Sequence, residues 1–237
     1  MIGHTHFPQN YIHNSYKTKS GKPVYEHIHG AACGGWWSCN LNTDGTPNGY
    51  YLYEIDAAKG EMINWKAKYT NQTFDYQMRV YNGNQIYTGT KGYLYKWDVT
   101  TNGRAGAYNV GGSSNIFAKG YAALKNAIVA AVWNDDSQNW KLEYFKDGAK
   151  VGDFVRLGDG SCCDICVCSY FFNELGKNTT SWAKSTASHF WYYVPESGDP
   201  ASEVNWEVRA TQKVPSAGTS AENVYSCTSF TTDYTGF

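Results

Sequence analysis

The chain has 237 residues, enough for one or two domains and for a full hydrophobic core without an obligatory disulfide or metal staple. Its formal net charge of −1 excludes the electrostatic footprint of a duplex nucleic-acid binder and a polybasic membrane patch, and no apolar run approaches the roughly 18 residues of a membrane span. Aromatic residues make up 16 %, led by 20 Tyr, with 10 Phe and 9 Trp, while helix formers are nowhere concentrated for long, so strands are favoured.

The chain opens Met1-Ile2-Gly3-His4-Thr5-His6, without the basic and apolar regions of a signal peptide. Two imidazoles one residue apart can each offer a neutral ring nitrogen to a different metal ion. They do not make a site alone. Two cations about 3.5–4 Å apart need a cage of carboxylates, an amide oxygen and further imidazoles. The segment Tyr25 to His29 alternates, which makes His27 and His29 ordinary strand residues rather than extra ligands.

Tyr51, Tyr53 and Ile55 share one face, and Ala57-Ala58-Lys59-Gly60 turns the chain into Ile63, Trp65, Ala67 and Tyr69, which predicts a hairpin. Asn71-Gln72-Thr73 turns again before Tyr76, Met78 and Val80, and Asn82-Gly83 is a turn dipeptide leading to Ile86-Tyr87. Tyr93, Tyr95 and Trp97 alternate, residues Asn102 to Ser114 read as a loop, and Phe117 to Lys125 is the one plausible short helix. Ile128 to Trp133 is a continuous apolar run with the length of a strand buried on both faces. Trp140, Leu142 and Tyr144 alternate, and Asp147-Gly148 returns the chain to Val151, Phe154 and Val155 as a second hairpin. Phe190, Tyr192 and Val194, then Val204, Trp206, Val208 and Ala210, supply two more strands, and Asn223-Val224-Tyr225 begins a last one. Many short strands joined by turns predict a mainly β fold, an antiparallel β-sandwich.

Several unusual blocks carry a resemblance. Gly30-Ala31-Ala32-Cys33-Gly34-Gly35-Trp36-Trp37, Asp44-Gly45-Thr46-Pro47-Asn48-Gly49-Tyr50 and Asp75-Tyr76-Gln77-Met78-Arg79-Val80-Tyr81 come first. Ile128-Val129-Ala130-Ala131-Val132-Trp133-Asn134, Trp140-Lys141-Leu142-Glu143 and Ser188-His189-Phe190-Trp191 follow in order. Together these blocks resemble the C-terminal region of bacterial calcineurin-like phosphoesterases, or metallophosphoesterases. The resemblance implies that His4 and His6 belong to the last metal-binding motif and each ligate one ion of a dinuclear centre of Mn, Fe or Zn in the intact hydrolase. The earlier motifs of that family, Asp-x-His, Gly-Asp-x-x-Asp and Gly-Asn-His-Asp or Glu, are absent from this sequence. Residues 1–32 are then expected to be the closing strands of the catalytic sandwich, and 33–237 the family's C-terminal β-sandwich domain. The chain alone is expected to be inactive and to hold no metal, with an upstream catalytic domain as partner and a phosphate ester as the substrate of the intact enzyme.

Two clusters stand outside that resemblance. Cys162, Cys163, Cys166 and Cys168 suggest local disulfides in an exported, periplasmic or cell-surface protein, reduced loop thiols, or a metal site, in that order. With Cys33, Cys39 and Cys227 the total is seven, so full pairing leaves a thiol over. Trp36, Trp37, Trp133 and Trp140 offer rings on which a glycan could stack, with Asp135 and Asp136 adding hydrogen bonds or a calcium ion. The competing reading places those rings in the core, and a third role for the domain is structural or oligomerising.

Overall fold

A computed structural model describes residues 7–19, 21–33, 40–88, 124–133, 140–157, 164, 166, 189–213 and 222–232. Among these residues the fold is mainly β, every strand pairing is antiparallel, and there is almost no helix. Twelve strands follow in chain order among these residues. β1 (Gln9–Lys17) pairs with β2 (Pro23–Ile28), and β3 (Gly49–Asp56) with β4 (Glu61–Tyr69), each as a two-stranded hairpin. β5 (Met78–Asn82), β6 (Ile128–Val132), β9 (Val155–Arg156) and β10 (Phe190–Tyr193) form one four-stranded sheet, in the order β5-β6-β10-β9. β7 (Trp140–Lys146), β8 (Ala149–Asp153), β11 (Trp206–Lys213) and β12 (Glu222–Cys227) form the other, in the order β12-β11-β7-β8.

The register explains where the core sits. Because side chains alternate along a strand, Met78 and Val80 lie on the same face as Val132, Ala130 and Ile128 across the ladder, and as Trp191 and Tyr193 beyond. In the other sheet Trp140, Leu142 and Tyr144 share a face with Trp206, Val208, Ala210 and Tyr225. These two sets make one apolar cluster. Burying each such large side chain contributes about 1.5–3 kcal/mol, so this shared cluster is the principal source of stability.

The two sheets differ on their other faces. Lys141, Glu143, Lys150 and Asp153 form ion pairs on the far side of the second sheet, and the Arg209 guanidinium lies 3.9 Å from the Phe145 ring centre while bonding Glu207. That face is wet. The first sheet is covered instead, since every residue of β5 and β6 is buried, as the apolar run at 128–133 predicts. Its cover is the segment 40–48 together with Asp164 and Cys166.

Turns and interruptions follow local chemistry. Asp147 and Gly148 both adopt positive φ, 50° and 79°, the mirror-image turn that matches strand twist and that this dipeptide favours. Ile55 does not share a buried face with Tyr53, because the β3–β4 register shifts between Glu54 and Ile55, and Ile55 is 59 % exposed. Val204 likewise stands outside the core at 63 % exposure, since Asn205 turns the chain with φ 51° before β11 begins. Val194 also lies beyond its strand and is exposed.

The Asn82-Gly83 pair does not turn into a strand. Gly83–Thr88 forms a short helix, α1, with the Asn82 carboxamide oxygen accepting from the Asn84 amide. A Cβ at Gly83 would stand 1.9 Å from the Leu124 carbonyl, so the chain needs glycine there to press against the 124–127 turn. The expected strand at Tyr93 to Trp97, the loop from Asn102 to Ser114 and most of the helix expected at Phe117 to Lys125 lie outside the described residues.

Candidate functional site

The covered face of the first sheet carries a buried polar cluster. From β5, Arg79 and Tyr81 point to this side, opposite the apolar core, and beside them stand Phe190 and the residue before it, His189. Tyr81 and Phe190 meet edge to face, with ring centres 6.2 Å apart. Over them the turn Asn42 to Pro47 folds back on itself: Asn42 N–H donates to the Thr46 carbonyl, and the Thr46 amide and hydroxyl both donate to the Asp44 carboxylate at 3.1 and 2.5 Å. Short polar side chains bonding their own backbone two residues on are what this kind of turn requires.

Two links tie the turn to the sheet. His189 Nε2 lies 2.7 Å from Asp44 Oδ2, with both side chains almost wholly buried. Arg79 Nη1 donates to the Gly45 carbonyl at 2.8 Å and Arg79 Nε to the Tyr76 hydroxyl at 3.1 Å, while the guanidinium lies 4.7 Å from the Trp133 ring centre. Asp164 closes the cluster from behind Gly45: its carboxylate accepts from the Cys166 amide at 2.7 Å and from the Tyr81 hydroxyl at 3.4 Å. Charges this deep are tolerated only where every one is bonded or balanced.

The titrations follow from that environment. Burial pushes the Cys166 thiol up to about 12, and the Asp164 carboxylate adds to it against the pull of Arg79. Burial and then Asp164 also raise the Tyr81 phenol, so thiol and phenol are both neutral at ordinary pH. Burial works against the charge on Arg79, and the Asp164 carboxylate is among the groups that favour it. A neutral buried thiol is a poor nucleophile and a poor metal ligand. The cluster therefore braces the 40–48 segment against the sheet, and its solvent-facing side is the hollow that Arg79 and Tyr76 help to line.

Of the residues singled out from the sequence, His4, His6, Trp36, Trp37, Asp135, Asp136, Cys162, Cys163 and Cys168 lie outside the described residues. Trp133 and Trp140 are core residues, 1 % and 5 % exposed; Trp133 packs on Tyr69 and Tyr76, and Trp140 on Tyr225. Cys166 is a buried free thiol 3.2 Å from the Tyr81 hydroxyl. His27 sits in β2, packed among Tyr51, Tyr53 and Trp65, as a strand residue should be. Asp44, Arg79, Tyr81, Asp164 and His189 were not singled out, although all but Asp164 fall within blocks that carry the family likeness.

Dinuclear chemistry needs several close oxygen and nitrogen donors, and among the described residues no group of three or more His, Cys, Asp or Glu side chains is arranged to hold a metal ion. Nor is any helix among them long and apolar enough to cross a membrane. No curated protein and no solved structure matches the chain. The family described as the C terminal of calcineurin-like phosphoesterase does match, over residues 26–216. That span takes in β3 to β11 and the whole buried polar cluster, and the chain belongs to this family of calcineurin-like phosphoesterase C-terminal domains.

Proposed function

We propose that this chain is the C-terminal portion of a metal-dependent phosphoesterase, with residues 1–32 completing the catalytic sandwich and residues 33–237 forming an accessory β-sandwich domain that is inactive alone. The observation that carries the reading is the family match over residues 26–216, with Gly3-His4-Thr5-His6 standing just ahead of it. Two sheets contributing to one apolar cluster support the sandwich. His4 and His6 supply part of a dinuclear ligand set whose remaining donors come from the catalytic domain. When bound, such ions neutralise phosphate oxygens and lower the pKa of a coordinated water. Since the described residues offer no complete cage, no catalytic step is assigned to them.

The test is turnover. Incubated with Mn, Zn or Fe ions and a chromogenic phosphate ester, the chain alone should show no hydrolysis above buffer. Hydrolysis that disappears in both His4→Ala and His6→Ala would show that it is a complete enzyme. The alternative of a glycan-binding module draws on Trp36, Trp37, Trp133 and Trp140 with the acidic pair Asp135 and Asp136, and of these Trp133 and Trp140 are buried.

A further inference from the structure

Where the chain leaves β10, residues 195–203 form a loop between Val194 and Val204, which are both exposed. Pro195 and Pro200 are buried within it. Among the described residues its backbone hydrogen bonds run inside the loop: Gly198 N–H donates to the Pro195 carbonyl, Ser202 N–H to the Asp199 carbonyl and Glu203 N–H to the Pro200 carbonyl. Its polar fastening to the sheets therefore passes through side chains, and one carboxylate gathers it. Glu203, with a side chain only 3 % exposed, accepts from the Tyr144 hydroxyl at 2.7 Å, the Lys146 ammonium at 3.0 Å and the Ser197 hydroxyl at 2.6 Å. Tyr144 and Lys146 belong to β7, so their two bonds clasp the loop to the second sheet. Behind the clasp Tyr144 stacks on Tyr193 with ring centres 4.6 Å apart, and Tyr193 meets Phe154 at the margin of the apolar cluster. Beyond Val204 the chain is fixed again, since Asp147 N–H donates to the Asn205 carbonyl and Asn205 Nδ2 to the Asp147 carboxylate.

A buried carboxylate that accepts three bonds is held as the anion, and the same bonds oppose its protonation. Burial works against the charge on Glu203, but the bonds from Ser197, Tyr144 and Lys146 outweigh it and keep the pKa below the ordinary 4.5. With the clasped value below the released one, the clasp contributes fully above 4.5 and is lost as pH falls through the clasped value. Protonation cancels the attraction of Lys146, and the new carboxyl proton faces three partners that were all donating. The other charged groups around the clasp are Asp147 and Glu196, which act on Lys146, and Asp199, which caps the Pro200–Ser202 turn inside the loop. Burial raises the phenols of Tyr144 and Tyr193, so both stay neutral in acid.

We propose that residues 195–203 are an acid-released lid: protonation of Glu203 opens the clasp to Tyr144 and Lys146 and uncovers the Tyr144–Tyr193 margin of the core while both sheets stay folded. The lid needs neither metal nor catalytic domain, so its failure would leave the family assignment untouched. The experiment follows amide hydrogen exchange of the full chain between pH 7 and pH 3, corrected for the intrinsic pH dependence of exchange. Its readouts are the amides of Gly198, Ser202 and Glu203, whose bonds so short a segment does not keep once released, and those of β6 as the reference. Lid protection should fall as pH drops below 4.5 while that of β6 persists. Glu203→Gln keeps the shape without the charge; at pH 7 it should lower lid protection at least about tenfold and remove its pH dependence. Lys146→Met, at a partly exposed position, leaves the carboxylate less supported and should move the onset of release to higher pH. The proposal is overturned by lid protection that ignores pH or falls only in step with β6, by a pH dependence that survives in Glu203→Gln, or by an onset unmoved in Lys146→Met.

Discussion

Gly45 shows how much a single residue decides in this fold. It adopts φ 90°, and a Cβ placed there would lie 2.2 Å from the Asp164 carboxyl carbon. Both the left-handed backbone and the close approach demand glycine. Gly45→Ala should therefore cost about 3 kcal/mol, read as a lowered urea midpoint with unchanged slope, the sum of backbone strain and overpacking. His27 makes a second residue-scale prediction. Burial first, and then its neighbour His29, push its pKa from 6.5 down to about 3. Below pH 6.5 the unfolded chain takes up a proton that the folded chain refuses, so the contribution is full above 6.5 and is lost as pH falls toward 3, by up to ~1.4 kcal/mol per pH unit. Carboxylates held down by lysines, such as Glu143 with Lys141 and Lys150, lose their contribution only below about 4.5. Urea titrations between pH 6.5 and 5 should accordingly show falling stability, and His27→Phe, which keeps a ring among Tyr51, Tyr53 and Trp65, should flatten that slope. At this scale the sequence was least readable: Asp44 meets His189 across 145 positions, and nothing local in either residue reveals the other.

Elements were more legible, because their signals are local. The Asp147-Gly148 hairpin, the β3–β4 hairpin and the apolar strand at 128–132 follow from turn chemistry and alternation, and all three stand in the structure. Where the reading departed, a packing demand intervened. The bulge that exposes Ile55 breaks alternation inside a strand, and α1 forms after Asn82 because Gly83 is pressed on the 124–127 turn, a contact no short window contains. The hairpin turn gives the element-scale prediction. Gly148 has φ 79° with open space where a Cβ would stand, so Gly148→Val suffers backbone strain without a clash. It should lose about 2 kcal/mol of stability, and amide hydrogen exchange in β7 and β8 should accelerate before that in β11.

For the whole molecule, the asymmetry between the two sheets organises the rest. One sheet turns charged pairs to water, while the other is capped by a buried polar layer assembled from three of the blocks that mark the family. Such a layer fixes the 40–48 segment in one arrangement, since releasing it would strand Arg79 and Asp164 without their bonds. The described part of the chain is thus built around its own core and its own polar brace. The proposal that His4 and His6 are only part of a metal cage is tested most directly by electron paramagnetic resonance of the chain titrated with Mn²⁺. Uncoupled six-line spectra at every ratio are the predicted result. A spin-coupled pair at two ions per chain, abolished by His4→Ala, would contradict it, because these residues would then hold both ions alone.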